Sequence, residues 1–89
     1  MGRLFQWDKK KAKSNIKKHG VSFEEATQVF KDPNRDTEQD TRRDYGEDRF
    51  NTVGKVRKGL LSVIHTPRDE TTRIISARKA NKKEKRRYK

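Results

Sequence analysis

The chain has no cysteine, two prolines, five glycines, one tryptophan and only 27% apolar residues among its 89. Each shortage removes a class of protein. Without thiols there is neither a disulfide scaffold nor cysteine-ligated zinc, and two histidines are too few for a structural metal site. No cofactor is called for, so any catalysis is expected to be metal-independent. The longest apolar run, Leu60 to Ile64, is interrupted by Ser62 and is far too short to span a bilayer. The amino terminus lacks the apolar stretch of a signal peptide, so a cytoplasmic protein with no membrane partner is expected. So few apolar side chains fit one domain over residues 1–89 with a small core and a stability of about 5 kcal/mol.

What the chain has in excess is positive charge. Twenty-five lysines and arginines against 13 acids give a net charge of +12 and a pI near 10.3. A cation density of that order favours a phosphate polymer, because basic side chains that displace counterions gain affinity without reading sequence. RNA or DNA is therefore the expected partner. The acids are concentrated: residues 32–48 hold seven of them against three arginines, which leaves +16 on the remainder. Their spacing is not that of a calcium loop, and the segment reads as a solvated, mobile loop.

Local patterns give the order of elements. Leu4 to Trp7 alternates weakly, and Asp8 is an N-cap for a basic helix that runs from Lys9 to His19 and stops at Gly20. Ser22 and Glu25 form a capping box for a second helix, whose apolar face is Phe23, Ala26, Val29 and Phe30 and which ends at Asp32-Pro33. Three strands follow, Phe50–Val56, Leu60–Thr66 and Thr71–Arg78, with turns at Arg57-Lys58-Gly59 and Pro67 to Glu70. Asn81 and Glu84 offer a second capping box for a closing helix. The result is an α+β fold of order β-α-α-β-β-β-α, an antiparallel meander packed against helices. Trp7, Phe23, Phe30 and Phe50 are expected in its core.

Several side chains on the meander can carry chemistry. His65 stands near a strand end, where an imidazole can accept a proton from a ribose 2′-hydroxyl or donate one to a departing 5′-oxygen. A histidine that only packs or hydrogen-bonds across strands fits the same pattern equally well. Arg78 closes the last strand, Arg49 precedes the first strand of the meander, and Arg68 lies in a turn. Together they could converge on one phosphate, for whose developing charge the planar guanidinium is suited. The tail from Arg78 to Lys89 holds eight basic residues and one acid. In it Lys79, Lys82, Lys83, Arg86 and Arg87 are candidates for binding RNA, and Tyr88 could stack on a base or pack its helix onto the sheet. His19, in a last helical turn, is assigned to structure.

Taken in order, Phe5-Gln6-Trp7-Asp8, Asn15 to Ala26, Asp48-Arg49-Phe50, Arg73 to Arg78 and Glu84 to Tyr88 resemble the BrnT toxins of bacterial type II toxin–antitoxin systems. The resemblance covers nearly the whole chain. It implies a RelE-like ribonuclease fold, translation arrest through RNA cleavage, and neutralisation by a ribbon-helix-helix antitoxin of the BrnA type, through which alone DNA would be bound. It places Arg49, His65, Arg68, Arg78 and Tyr88 at the matching catalytic positions. Gln6 departs from the family's usual Glu and loses a charge; Lys85 stands where Arg is common and loses bidentate geometry. The competing expectation is a non-catalytic nucleic-acid-binding module within a repressor complex. Either protein would need an acidic or amphipathic partner to cover its basic surface.

Overall fold

Three side chains start three helices. In the computed structural model, which describes residues 4–42 and 44–88, the Asp8 carboxylate accepts the Lys11 amide and opens α1, Lys9–His19. Gly20, at φ 69°, ends it in the left-handed conformation that glycine adopts without steric cost. Ser22 and Glu25 form the expected reciprocal capping box at α2, Phe23–Thr27, which runs on into a 3₁₀ turn, Gln28–Lys31. Asn81 and Glu84 repeat the box at α3, Lys82–Arg87.

The strands are β1, Leu4–Gln6; β2, Asp36–Gln39; β3, Phe50–Val56; β4, Gly59–Arg68; and β5, Thr71–Lys79. They form one mixed sheet in the order β1-β5-β4-β3-β2, with β1 parallel to β5 and the other pairs antiparallel. The α+β class and the β3-β4-β5 meander are as expected, but the order gains a strand. Part of the acidic segment read as a mobile loop is β2, an edge strand paired with β3 from Asp36↔Val53 to Gln39↔Phe50. Its side chains hide it from pattern reading, because an edge strand rich in charge satisfies its backbone on one side and discourages further pairing on the other. The Thr37 and Thr52 hydroxyls, 2.7 Å apart, add a side-chain tie across the pair.

Leu61, Val63 and His65 point to the side of the sheet covered by α1 and α2, where Val21, Phe23, Ala26, Val29, Ile74 and Ala77 complete a buried cluster. Of the four aromatics expected in the core only Phe23 is fully buried. Trp7 meets it edge-on at 5.9 Å, Phe30 packs from the rim, and Phe50 lies partly buried over His65. Val29 comes so close to β3 that a Cβ on Gly54 would stand 2.7 Å from its own Cβ. Asn15, the one buried residue of α1, ties the helix to the sheet: its amide donates to the carbonyls of Val21 and Ala77 and accepts from the Ala77 N–H. The opposite side of the sheet is crossed by α3.

Candidate functional site

On the α3 side, rows of paired residues bring polar groups together. One row across the strands is Arg78, Ser62, Val53 and Asp36; the next is Ser76, Ile64, Asn51 and Glu38. With α3 and the 38–42 segment they bound a cleft of about 580 Å³, whose lining includes Glu38, Asn51, Ile64, Arg78, Lys83 and Arg87.

Glu84 organises this cleft. It reaches back to the Asn81 amide as the capping partner of α3, and its two oxygens also take Arg78 Nη1 at 2.7 Å, Arg78 Nη2 at 2.9 Å and the Ser62 hydroxyl at 3.0 Å. Burial works to raise the Glu84 carboxyl, but the bonds from Arg78, the Asn81 amide and Ser62 outweigh it and hold the group below its ordinary value. Glu84 is therefore an anion with its acceptor sites filled, suited to positioning rather than to taking a proton.

The same bonds fix Arg78. Its end-on fork, Nη1 and Nη2, grips Glu84, and Nη1 also donates to the Lys79 carbonyl. Among the described residues nothing accepts from Nε or from the second Nη2 hydrogen, which share the guanidinium's side-on edge. The side chain is 36% exposed. An arginine locked at one edge and open at the other is preorganised to take a phosphate in bidentate geometry.

Arg87 does the reverse. Nε donates to Asp36 at 2.7 Å, Nη1 to the Asn51 side-chain oxygen at 2.6 Å, and Nη2 to the Asn51 carbonyl at 3.2 Å. Its charge is spent in clamping α3 to β2 and β3. Lys79, Lys82, Lys83 and Arg86 are exposed and without ion pairs among the described residues.

The five residues proposed for catalysis are not gathered in one place. Arg49 and Arg68 do meet, both on Glu47, at 3.2 and 3.4 Å, and Arg49 also stacks on Tyr45 at 4.2 Å. Arg78 does not join them. Its partner on β4 is Ser62, and the six residues from there to Arg68 span roughly 20 Å of extended strand. The expected convergence of three arginines on one phosphate is thus replaced by two separate cationic spots. His65 is buried at 7% exposure on the helix-covered side, with Nε2 2.7 Å from the Thr52 hydroxyl, Phe30 edge-on at 4.8 Å and Phe50 stacked at 6.1 Å. Tyr88 lies elsewhere again: its hydroxyl donates to Asp32 at 2.6 Å, and Asp32 also accepts the Lys55 amide. The hydrogen bond to Asp32, aided by burial, raises the Tyr88 phenol above its ordinary value.

Sequence reasoning named Arg78 but missed what orients it. Glu84 was visible as a helix cap, and Ser62 as a polar residue on the Leu60-Ile64 face of its strand. Their meeting at one guanidinium needs the corner at Ala80, buried at 6% exposure, that folds α3 back across the sheet onto β3.

The small α+β scaffold thus carries an arginine with one open guanidinium edge, in a cleft beside lysines that make no ion pair among the described residues. Over residues 7–84 the chain matches the family described as the ribonuclease toxin, BrnT, of type II toxin-antitoxin systems. With that share of its length matched, the chain belongs to the BrnT family. A search of curated proteins gave no match. A family of type II toxins implies an RNA substrate and an antitoxin partner.

Proposed function

We propose that the chain is a metal-independent endoribonuclease of RelE-like fold, working as one domain in the cytoplasm, that arrests translation by cutting mRNA and is restrained by a ribbon-helix-helix antitoxin of the BrnA type. The observation that carries this reading is Arg78: Glu84 holds one edge of its guanidinium and leaves the other for a phosphate. In the reaction the ribose 2′-oxygen bonds to the adjacent phosphorus and the bond from phosphorus to the 5′-oxygen breaks. A 2′,3′-cyclic phosphate and a 5′-hydroxyl result, the proton passing overall from the 2′-hydroxyl to the leaving oxygen through solvent. Arg78 stabilises the extra negative charge of the pentacoordinate phosphorus, a task that other nucleases give to a metal ion.

The remaining residues take supporting roles. Lys79, Lys82, Lys83 and Arg86 guide the strand along α3, and Arg49 with Arg68 hold phosphate farther along the sheet. Arg87 and Tyr88 keep α3 in place. The burial of His65 and its bond to Thr52 support a positioning role, beneath Phe50, over direct proton transfer. Incubating the purified protein with RNA in EDTA, and mapping the new ends, tests the whole reading. Cyclic-phosphate ends in the parent and far fewer in Arg78→Lys are expected; intact RNA under all conditions would leave only a binding module.

A further inference from the structure

Helix α1 carries six lysines in eleven residues, no arginine, no aromatic and no acid in its first turn. At about 100° per residue, Lys9, Lys13, Lys17 and Lys10 fall within roughly 100° of arc. That arc is opposite the side on which Asn15 is buried and Ala12 is packed. None of the six makes an ion pair among the described residues. Three of them, Lys9, Lys10 and Lys11, occupy the first turn, where the helix dipole disfavours positive charge. A folding requirement would place acids there, so this charge serves something outside the fold.

Its position says what. Helix α1 packs on β5 on the side of the sheet opposite α3, so its lysines face away from the cleft across a body 26–31 Å wide. A strand short enough to lie within the cleft does not reach them. Lysines four apart on a helix are spaced by about 6 Å along its axis, and a row of point charges without arginine, aromatic or free amide can follow a phosphate backbone but cannot read bases. The only amide of α1, on Asn15, is spent on the backbone of Val21 and Ala77.

We propose that the outward face of α1 is a second RNA-binding surface, which grips the phosphate backbone of double-helical RNA while the cleft holds a single strand. The polymer's identity rests on the ribonuclease reading; the existence of the surface does not. Double-helical RNA is the fitting occupant because its bases are withdrawn and its phosphates are presented by shape.

The test uses K9Q/K10Q/K13Q/K17Q, in which glutamine keeps helix propensity. Two probes separate the surfaces: an RNA duplex, and a short single-stranded RNA that fills only the cleft. For the duplex, the slope of log affinity against log salt is expected to fall by up to about 3.6, at roughly 0.7–0.9 per lysine engaged. Cleavage of the short strand should be unchanged, and the melting temperature should be at or above the parent's because first-turn charge is removed. An unchanged duplex affinity and slope would overturn the proposal. So would normal duplex binding with loss of a protein partner, which half-exposed Ile16 beside this face could serve. Should the parent cut no RNA while the variant still loses duplex affinity, the surface stands and the nuclease reading falls.

Discussion

The two sides of the sheet are assembled by different forces. Toward α1 and α2 the contacts are apolar and close, from Val21, Phe23 and Val29 onto Leu61, Val63, Ile74 and Ala77, and even Gly54 is there to admit Val29. Toward α3 the contacts are carboxylate to guanidinium: Glu84 to Arg78, and Asp36 and Glu38 to Arg87. The first side works by shape and can lose little volume. The second is held by directed, charge-assisted bonds that leave selected donors open, and it is there that a ligand anion can enter. Apolar packing is thus concentrated on one surface of the five-stranded layer, and the open guanidinium edge of Arg78 lies on the other.

Breaking the apolar side should have the largest effect. Phe23→Ala removes a ring of 0% exposure and is expected to cost about 3–5 kcal/mol, most of the stability of so small a core. Urea melts followed by circular dichroism would report it, and a shift below 1 kcal/mol would mean that the core lies elsewhere. On the polar side Arg78→Ala should leave the protein folded yet slow RNA cleavage by roughly 2–4 kcal/mol of barrier, as loss of other preorganised donors does. Arg78→Lys retains charge without the fork and should recover little of that rate. Full cleavage by either folded variant would separate Arg78 from the chemistry.

Gly54→Ala gives a sharper contrast at smaller size. The added methyl meets the Val29 Cβ at 2.7 Å and its carbonyl oxygen at 3.0 Å, so overpacking of about 1–3 kcal/mol is expected, with activity normal wherever the protein is folded. Acid should act first on the polar side. The Arg42 guanidinium, with the Arg42 amide and the Tyr45 hydroxyl, holds the Asp40 carboxyl at about 2, below its unfolded value. Its stabilisation is therefore present above pH ~4 and lost as pH falls through 2. Asp40→Asn should flatten that limb of a stability–pH curve. The mildest change is Tyr88→Phe. Because Asp32 raises the phenol, the bond contributes fully below pH ~10 and is lost at higher pH. The parent, and not the variant, should show protection at the α3 end, corrected for base-catalysed intrinsic exchange, that falls in alkali.

Elements with local signals were legible in the sequence. The caps Asp8, Ser22 and Asn81 fixed three helix starts, Gly20 one end, and the β3-β4-β5 meander followed from its apolar runs and its turns. What escaped depends on distant pairing. Asp36 to Gln39 has poor strand propensity and is a strand only because β3 offers an unpaired edge and Arg87 neutralises its acids. His65 shows the limit for the site: its place near a strand end is legible in the sequence, but whether it faces solvent or Phe30 is decided by the 3₁₀ turn packed above it. The lesson for Arg78 is similar, since its partner is six residues away around a corner that no periodicity announces.

The parallel pairing of β1 with β5 has a kinetic meaning. Leu4, Phe5 and Gln6 bond to Thr71, Thr72 and Arg73, so the first strand of the sheet has no neighbour until synthesis has passed residue 73. A loop that long closes slowly, and the residues that form the cleft, Arg78, Glu84 and Arg87, are made later still. On the ribosome, the growing chain has its lysine-rich helix before it has the Arg78–Glu84 pair. Under the proposed nuclease reading, the surface that would act on RNA is complete only once the meander and α3 have been made.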